Sequence, residues 1–232
     1  AEETSLFEQT NEIPTLVEPS EETKRSVMQR VVKEYPSIQQ HSSWKNMLVE
    51  DLSELYDMTI GDVQRDSSPG FPYARWDKGS NNGSLLEQHG VRIKSLVLSR
   101  IKRLHQVPFS ELSSMTPCDR VRNGLCDPVK IFNKKQPHKQ QKIASGKLRL
   151  IWSISVVDSI IERMLFSRQN KAEIARWKDI PSKPGLGFTD EMSASLYSRV
   201  MAAKSQFDLV DTDVSGWDMA VPYWLFMWDL ER

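Results

Sequence analysis

Leu209–Val221 reads LVDTDVSGWDMAV and sets three carboxylates, Asp211, Asp213 and Asp218, within an apolar run. The pattern of FDLVDTDV, residues 207–214, predicts a strand. Its alternation directs Leu209, Asp211 and Asp213 to one face and Asp208, Val210 and Thr212 to the other. Two neighbouring carboxylates on one face repel each other and resist burial unless a cation compensates them. Magnesium does so with hard oxygen ligands. After the polar turn SGW, Asp218 falls at the start of a predicted helix, where the helix dipole also favours an acid. The D-x-x-x-x-D spacing suits a metal held by one acid and a ligand met by the other. The bland alternative is a helix cap beside a solvated strand-end acid.

Further out, charge is unevenly distributed. The 232 residues carry 31 basic and 31 acidic side chains, so net charge gives no argument for a nucleic-acid or membrane partner. Locally the balance breaks: residues 1–23 hold seven Glu and no Lys or Arg, and 128–157 hold seven Lys or Arg and no acid. The second segment would attract phosphate even on a neutral molecule. Cys118 and Cys126 are too few for a disulfide framework and lack zinc-site pairing, which suits a reducing compartment. No apolar run reaches the roughly 20 residues of a membrane span. A start at Ala1 and a stop within the helical run YWLFMWDLER suggest a piece of a longer protein.

The rest of the chain predicts an α+β fold with helices predominating. The acidic opening, punctuated by Pro14 and Pro19, suggests a mobile arm or an extended strap over a larger body. Helical spacing runs from Glu21 towards Pro36 and continues through Trp44, Leu48, Leu52 and Leu55. A Ser-, Pro-, Gly- and Asn-rich loop spans Arg65–Ser84, and helix resumes over 85–105. LRLIWSIS predicts a strand and residues 156–177 a helix, with Ser155 and Asp158 offering a capping-box start. PSKPGLGF is a loop and 190–204 a further helix.

Three segments carry a resemblance. DTDVSGWD (211–218) resembles motif A of the RNA-dependent RNA polymerases of positive-strand RNA viruses. VKIFNKKQPHKQQKIASGKLRLIWSIS (129–155) resembles their motif F, and SSPGFPY (67–73) their motif G, in the order those enzymes use. The GKLRLIWSISVVDSIIERMLF run is similar to the picornavirus-like lineage, and SGWD to its sobemovirus and polerovirus branches.

The resemblance implies a right-hand polymerase fold, of which this chain supplies the fingers and the first palm strand, without a complete palm or a thumb. It divides the chain into an acidic arm (1–25), a fingers region (26–206, with motif G about 67–73 and motif F about 130–151) and the start of the palm (207–232). It implies two magnesium ions in the complete polymerase, with manganese as a substitute, and nucleotidyl transfer from ribonucleoside triphosphates on an RNA template. Asp213 would be the motif A metal ligand, and Asp218 would help recognise the ribose 2′-hydroxyl. Arg149 would hold the triphosphate beside the incoming base, with Lys130, Lys142 and Lys147 around it. Ser67, Ser68 and Gly70 would guide the template, while Phe71, Tyr73 and Trp76 either stack bases or anchor the loop, with anchoring favoured. Implied partners are template and nascent RNA, ribonucleoside triphosphates and other viral replication proteins, in a replication complex of the host cytoplasm. Two other classes compete. A non-catalytic RNA-binding scaffold would be made of fingers alone, and a reverse transcriptase usually places a bulky gate where Asp218 stands.

Overall fold

The computed structural model describes residues 1–11, 16–77, 79–214 and 217–231; the Asp218 side chain, Pro14 of the opening and Ser215 and Gly216 of the polar turn lie outside the described residues. Along the chain run α1 (Glu2–Thr10), α2 (Glu21–Glu34), α3 (Ser43–Asn46), α4 (Val49–Thr59), α5 (Asn82–Gln106), α6 (Phe109–Ser114) and α7 (Pro117–Arg122). There follow β1 (Lys130–Asn133), α8 (Gln140–Ala144), β2 (Leu150–Ser153), α9 (Val156–Ala175), α10 (Asp190–Lys204), α11 (Trp217–Ala220) and α12 (Tyr223–Glu231). The fold is mostly helical with one small sheet, as the helix-dominated α+β expectation requires. Packing divides it into two compact units, Ala1–Leu6 with Gln39–Arg168 and Phe7–Ile38 with Gln169–Arg232.

The first unit has a core built on α4, α5 and the N-terminal part of α9. Ile93, Val97 and Ile101 recur at four-residue spacing on α5, and Val156, Val157, Ile160, Ile161 and Met164 at three and four on α9. Both stripes are buried with Leu52, Leu55 and Tyr56 of α4. Helix α5 starts cleanly because Asn81 and Ser84 form a reciprocal capping box. At the start of α9 half of the expected box forms. The Ser155 hydroxyl accepts the Asp158 N–H at 3.0 Å, but the Asp158 carboxylate is drawn to Arg100 instead of turning back to the cap. The expected continuous helix through Trp44 and Leu55 is broken at Met47, whose φ of 52° is left-handed. Ser43, buried, ties the break by donating to the Asp51 carbonyl at 2.9 Å.

In the second unit α12 carries Trp224 and Trp228, whose rings lie 4.9 Å apart, and Trp228 is buried. Lys24 of α2 pairs with Glu231 at 2.9 Å. Val27 and Val31 of α2 line a groove of about 490 Å3 with Leu225 and Phe226 of α12.

Two expectations fail. The opening is not extended throughout, since residues 2–10 form α1, and Ser5 is buried where it donates to the Leu148 carbonyl at 2.8 Å. Among the described residues of the opening, the irregular stretch 16–20 behaves as a strap: Trp228 Nε1 donates to Glu18 and Trp224 Nε1 to the Leu16 carbonyl. The strand expected over 207–214 does not form, and all eight residues are exposed. A strand exists through its ladder, and among the described residues the one sheet is β1 paired with β2, with none beside this segment.

Candidate functional site

The basic segment is a hairpin. β1 and β2 pair antiparallel with Lys130 opposite Ser153, Ile131 opposite Trp152, Phe132 opposite Ile151 and Asn133 opposite Leu150. A Lys134 N–H bond to the Arg149 carbonyl at 2.8 Å extends the ladder by one step. The short helix α8 occupies the connection and carries Lys142. Lys130, Lys142 and Arg149 are exposed, Lys147 is half-buried, and no acid occurs anywhere between them. Lys130 lies 5.8 Å from the ring of Phe132, on the same face of β1. The strand β1 was not legible in the sequence, because KIFN lacks clean alternation. It pairs because the apolar LIWS strand needs a ladder partner.

Within the hairpin strands only Leu150 is buried, so the ribbon has no core of its own. Its base is held by charge. Arg100 of α5, buried, donates to both Asp127 oxygens at 2.7 and 2.8 Å and to Asp158 at 2.5 Å. Asp158 in turn accepts the Asp127 N–H at 2.8 Å. Burial alone would lower the Arg100 pKa, but the Asp127 hydrogen bonds and the Asp158 and Asp127 charges outweigh it and raise it above the ordinary guanidinium value. This three-residue centre was missed in the sequence. A signal was there: Asp127 and Asp158 are the two acids that immediately bracket the acid-free run 128–157.

The loop 67–73 packs onto the same base. Gly70 sits at φ +69°, and a Cβ there would come within 2.4 Å of the Ile154 carbonyl oxygen. The Pro69 carbonyl accepts the Val156 N–H at 2.8 Å. Gly70 is therefore needed where the loop meets the exit of β2, while Ser67 and Ser68 are exposed beside it. Tyr73 anchors the loop in the core, and burial together with the nearby Asp127 charge keeps its phenol neutral. Trp76 packs edge-on to Tyr73 at 5.1 Å between the core and Arg92, which stacks over it at 4.2 Å. Tyr73 and Trp76 thus anchor the loop to the core.

The acidic stretch belongs to the other unit. Asp211 and Asp213 are exposed in an irregular segment, and the Asp218 backbone is the second residue of α11, in keeping with the expected helix start. A magnesium pair takes several converging hard oxygens. Among the described residues no group of three His, Cys, Asp or Glu side chains converges, and Asp213 offers one exposed carboxylate. These residues do not by themselves fit a metal pair.

Residues 9–217 match the family described as viral RNA-directed RNA-polymerase. The chain belongs to that family. It is 39% identical over 171 residues to the replicase polyprotein P2AB of Southern bean mosaic virus, covering 73% of this chain and 17% of the relative. It is 38% identical over 163 residues to the RNA-directed RNA polymerase of Mushroom bacilliform virus, covering 70% and 38%. To protein P1-P2 of Turnip yellows virus it is 33% identical over 233 residues, covering 91% and 22%. The chain thus spans well under half the length of these polymerase-family relatives. No solved structure matches it significantly. No helix among the described residues is long and apolar enough to cross a membrane.

Proposed function

We propose that the protein to which this chain belongs copies an RNA template from ribonucleoside triphosphates, and that the chain supplies the fingers and the start of the palm of a right-hand polymerase. The basic hairpin carries this reading. Within a viral RNA-directed RNA-polymerase family member, it is an exposed, acid-free ribbon displaying Lys130, Lys142 and Arg149, with Lys147 half-buried between them. A triphosphate is strongly anionic, and expelling pyrophosphate develops more charge on the leaving oxygens, so fixed cations favour both binding and transfer. Arg149 is assigned to the triphosphate because guanidinium is planar, always charged and forked. Ser67 and Ser68 are assigned to template phosphates, with Gly70 holding their loop. Asp213 is assigned to the catalytic magnesium of the complete enzyme and Asp218 to the ribose. The replication complex of the host cytoplasm is the proposed setting.

The test is steady-state kinetics on the full-length polymerase with matched ribo- and deoxyribonucleotides. Asp213→Asn should abolish incorporation of both sugars, and Asp218→Ala should penalise ribonucleotides selectively, because a site built around a hydroxyl discriminates through polar groups left unpaired without it. Equal proportional losses for both sugars in Asp218→Ala would remove the sugar-sensing assignment. The isolated 232-residue chain should not extend a primer with magnesium or manganese; templated incorporation by it would show that it is no fragment. Its affinity for single-stranded RNA should fall steeply with salt, the log–log slope dropping by about 0.7 for each of Lys130→Gln and Arg149→Gln. Unchanged slopes would mark the charges as merely solvated.

A further inference from the structure

We infer that Arg100 is a positioning residue for nucleotide selection: clamped between Asp127 and Asp158, it fixes the aim of the basic hairpin relative to the template loop. The inference rests on the polymerase reading above for its kinetic consequence, but its structural content stands apart from that reading. Arg100 lies on α5, outside the three segments that resemble polymerase motifs.

Asp127 precedes β1 by three residues, and Asp158 follows β2 by five. Both covalent connections of the hairpin to the core therefore run past a carboxylate that Arg100 holds, at 2.5 to 2.8 Å. The Asp127 N–H to Asp158 bond closes the base on itself. The template loop enters the same centre from the side, through the Pro69 carbonyl, which accepts the N–H of Val156, two residues before Asp158.

A ribbon of two four-residue strands is marginal alone and its own side chains are largely exposed, so its direction is set where it is anchored. Guanidinium is suited to the task, because its rigid fork fixes an angle that a lysine ammonium, a point charge on a flexible stem, does not. An error of about 1 Å at the base of a lever is carried to Lys130 and Arg149, and misplacement on that scale is costly to transfer. Arg100 touches no substrate; it acts through the hairpin.

Two measurements test this. The first is hydrogen exchange on the 232-residue chain carrying Arg100→Lys: the ladder amides of β1 and β2 should exchange about tenfold faster, while amides of Ile93 and Val97 in the α5 core keep their protection. Unchanged hairpin exchange, or equal acceleration in the α5 core, would overturn the inference. The second is primer extension by the full-length polymerase with ATP as the varied substrate. Arg100→Lys should raise KM for ATP about tenfold, and adding it to Arg149→Gln should cost clearly less than a further tenfold, because part of its effect runs through the Arg149 guanidinium. Losses that multiply, or an unchanged KM with only less folded enzyme, would show an ordinary stabilising pair.

Should Arg100→Lys fail to fold, Arg100→Met with Asp127→Asn and Asp158→Asn removes all three charges at similar volume and should loosen the hairpin in the same way; a hairpin as protected as the wild type's in that triple variant would overturn the inference. If Arg149→Gln itself leaves KM unchanged, the polymerase assignment of the hairpin fails, while the exchange result still decides whether Arg100 directs it.

Discussion

The basic hairpin and the acidic stretch 207–214 sit in opposite structural conditions, although both are rich in like charge. The hairpin is drawn into order because this chain supplies its partners: a ladder between β1 and β2, two acids at its base and a buried arginine that binds both. The acidic stretch carries Asp208, Asp211 and Asp213 with apolar neighbours, yet every residue from Phe207 to Val214 is exposed and none is in a strand. Like charges become structure when counter-charges and backbone partners are near. Without them, they stay in water.

The sharpest way to break the comparison is to remove the counter-charge. Arg100→Met should leave two uncompensated carboxylates at the hairpin base and destabilise the chain by about 3–5 kcal/mol, read by urea denaturation. A loss under about 1 kcal/mol would mean that the centre is decorative. Next in size is Gly70→Ala, which adds both left-handed backbone strain and a Cβ within 2.4 Å of the Ile154 oxygen. It should cost about 2–4 kcal/mol by the same measurement.

Alkaline pH gives a third, smaller test. Burial pushes the phenols of Tyr56 and Tyr73 up to about 12, helped by the nearby charges of Asp57 and Asp127 respectively. The fold favours their neutral forms, so this contribution is complete below pH 10 and is lost as pH rises through about 12. It should amount to about 2 kcal/mol for each tyrosine. Spectrophotometric titration should show two of the five tyrosines ionising only as the protein unfolds, and Tyr73→Phe should remove one of those two. The smallest effect is expected at the other pole of the comparison. Asp213→Asn should change stability by less than about 0.5 kcal/mol, because the side chain is exposed. A larger change would reveal that the acidic stretch is tied into the fold after all.

Local information carried far in this chain. The α5 and α9 stripes, the LIWS strand, the 181–188 loop and the α10, α11 and α12 helices follow from periodicity, turn residues and caps, all of which act within a few positions. The three ordered segments that resemble polymerase motifs likewise needed no structure, and the family match over residues 9–217 agrees with them. What the linear order hides is pairing across distance. The 27-residue separation of Arg100 from Asp127, and the 58-residue separation from Asp158, leave no periodic trace. Nor did anything near KIFN announce that it would become the partner of LIWS.

The strand expected at 207–214 failed for the converse reason. Its alternation was sound as a local pattern, but a strand is completed by a neighbour, and tertiary structure supplies none among the described residues. By itself the sequence determined where the long helices run, where cations gather and which family the chain resembles, because those depend on side chains close together in the chain. Only the tertiary structure decided that the cations would be aimed by a buried arginine and the acids left in water, because desolvation and hydrogen-bond pairing depend on which distant groups arrive at the same place.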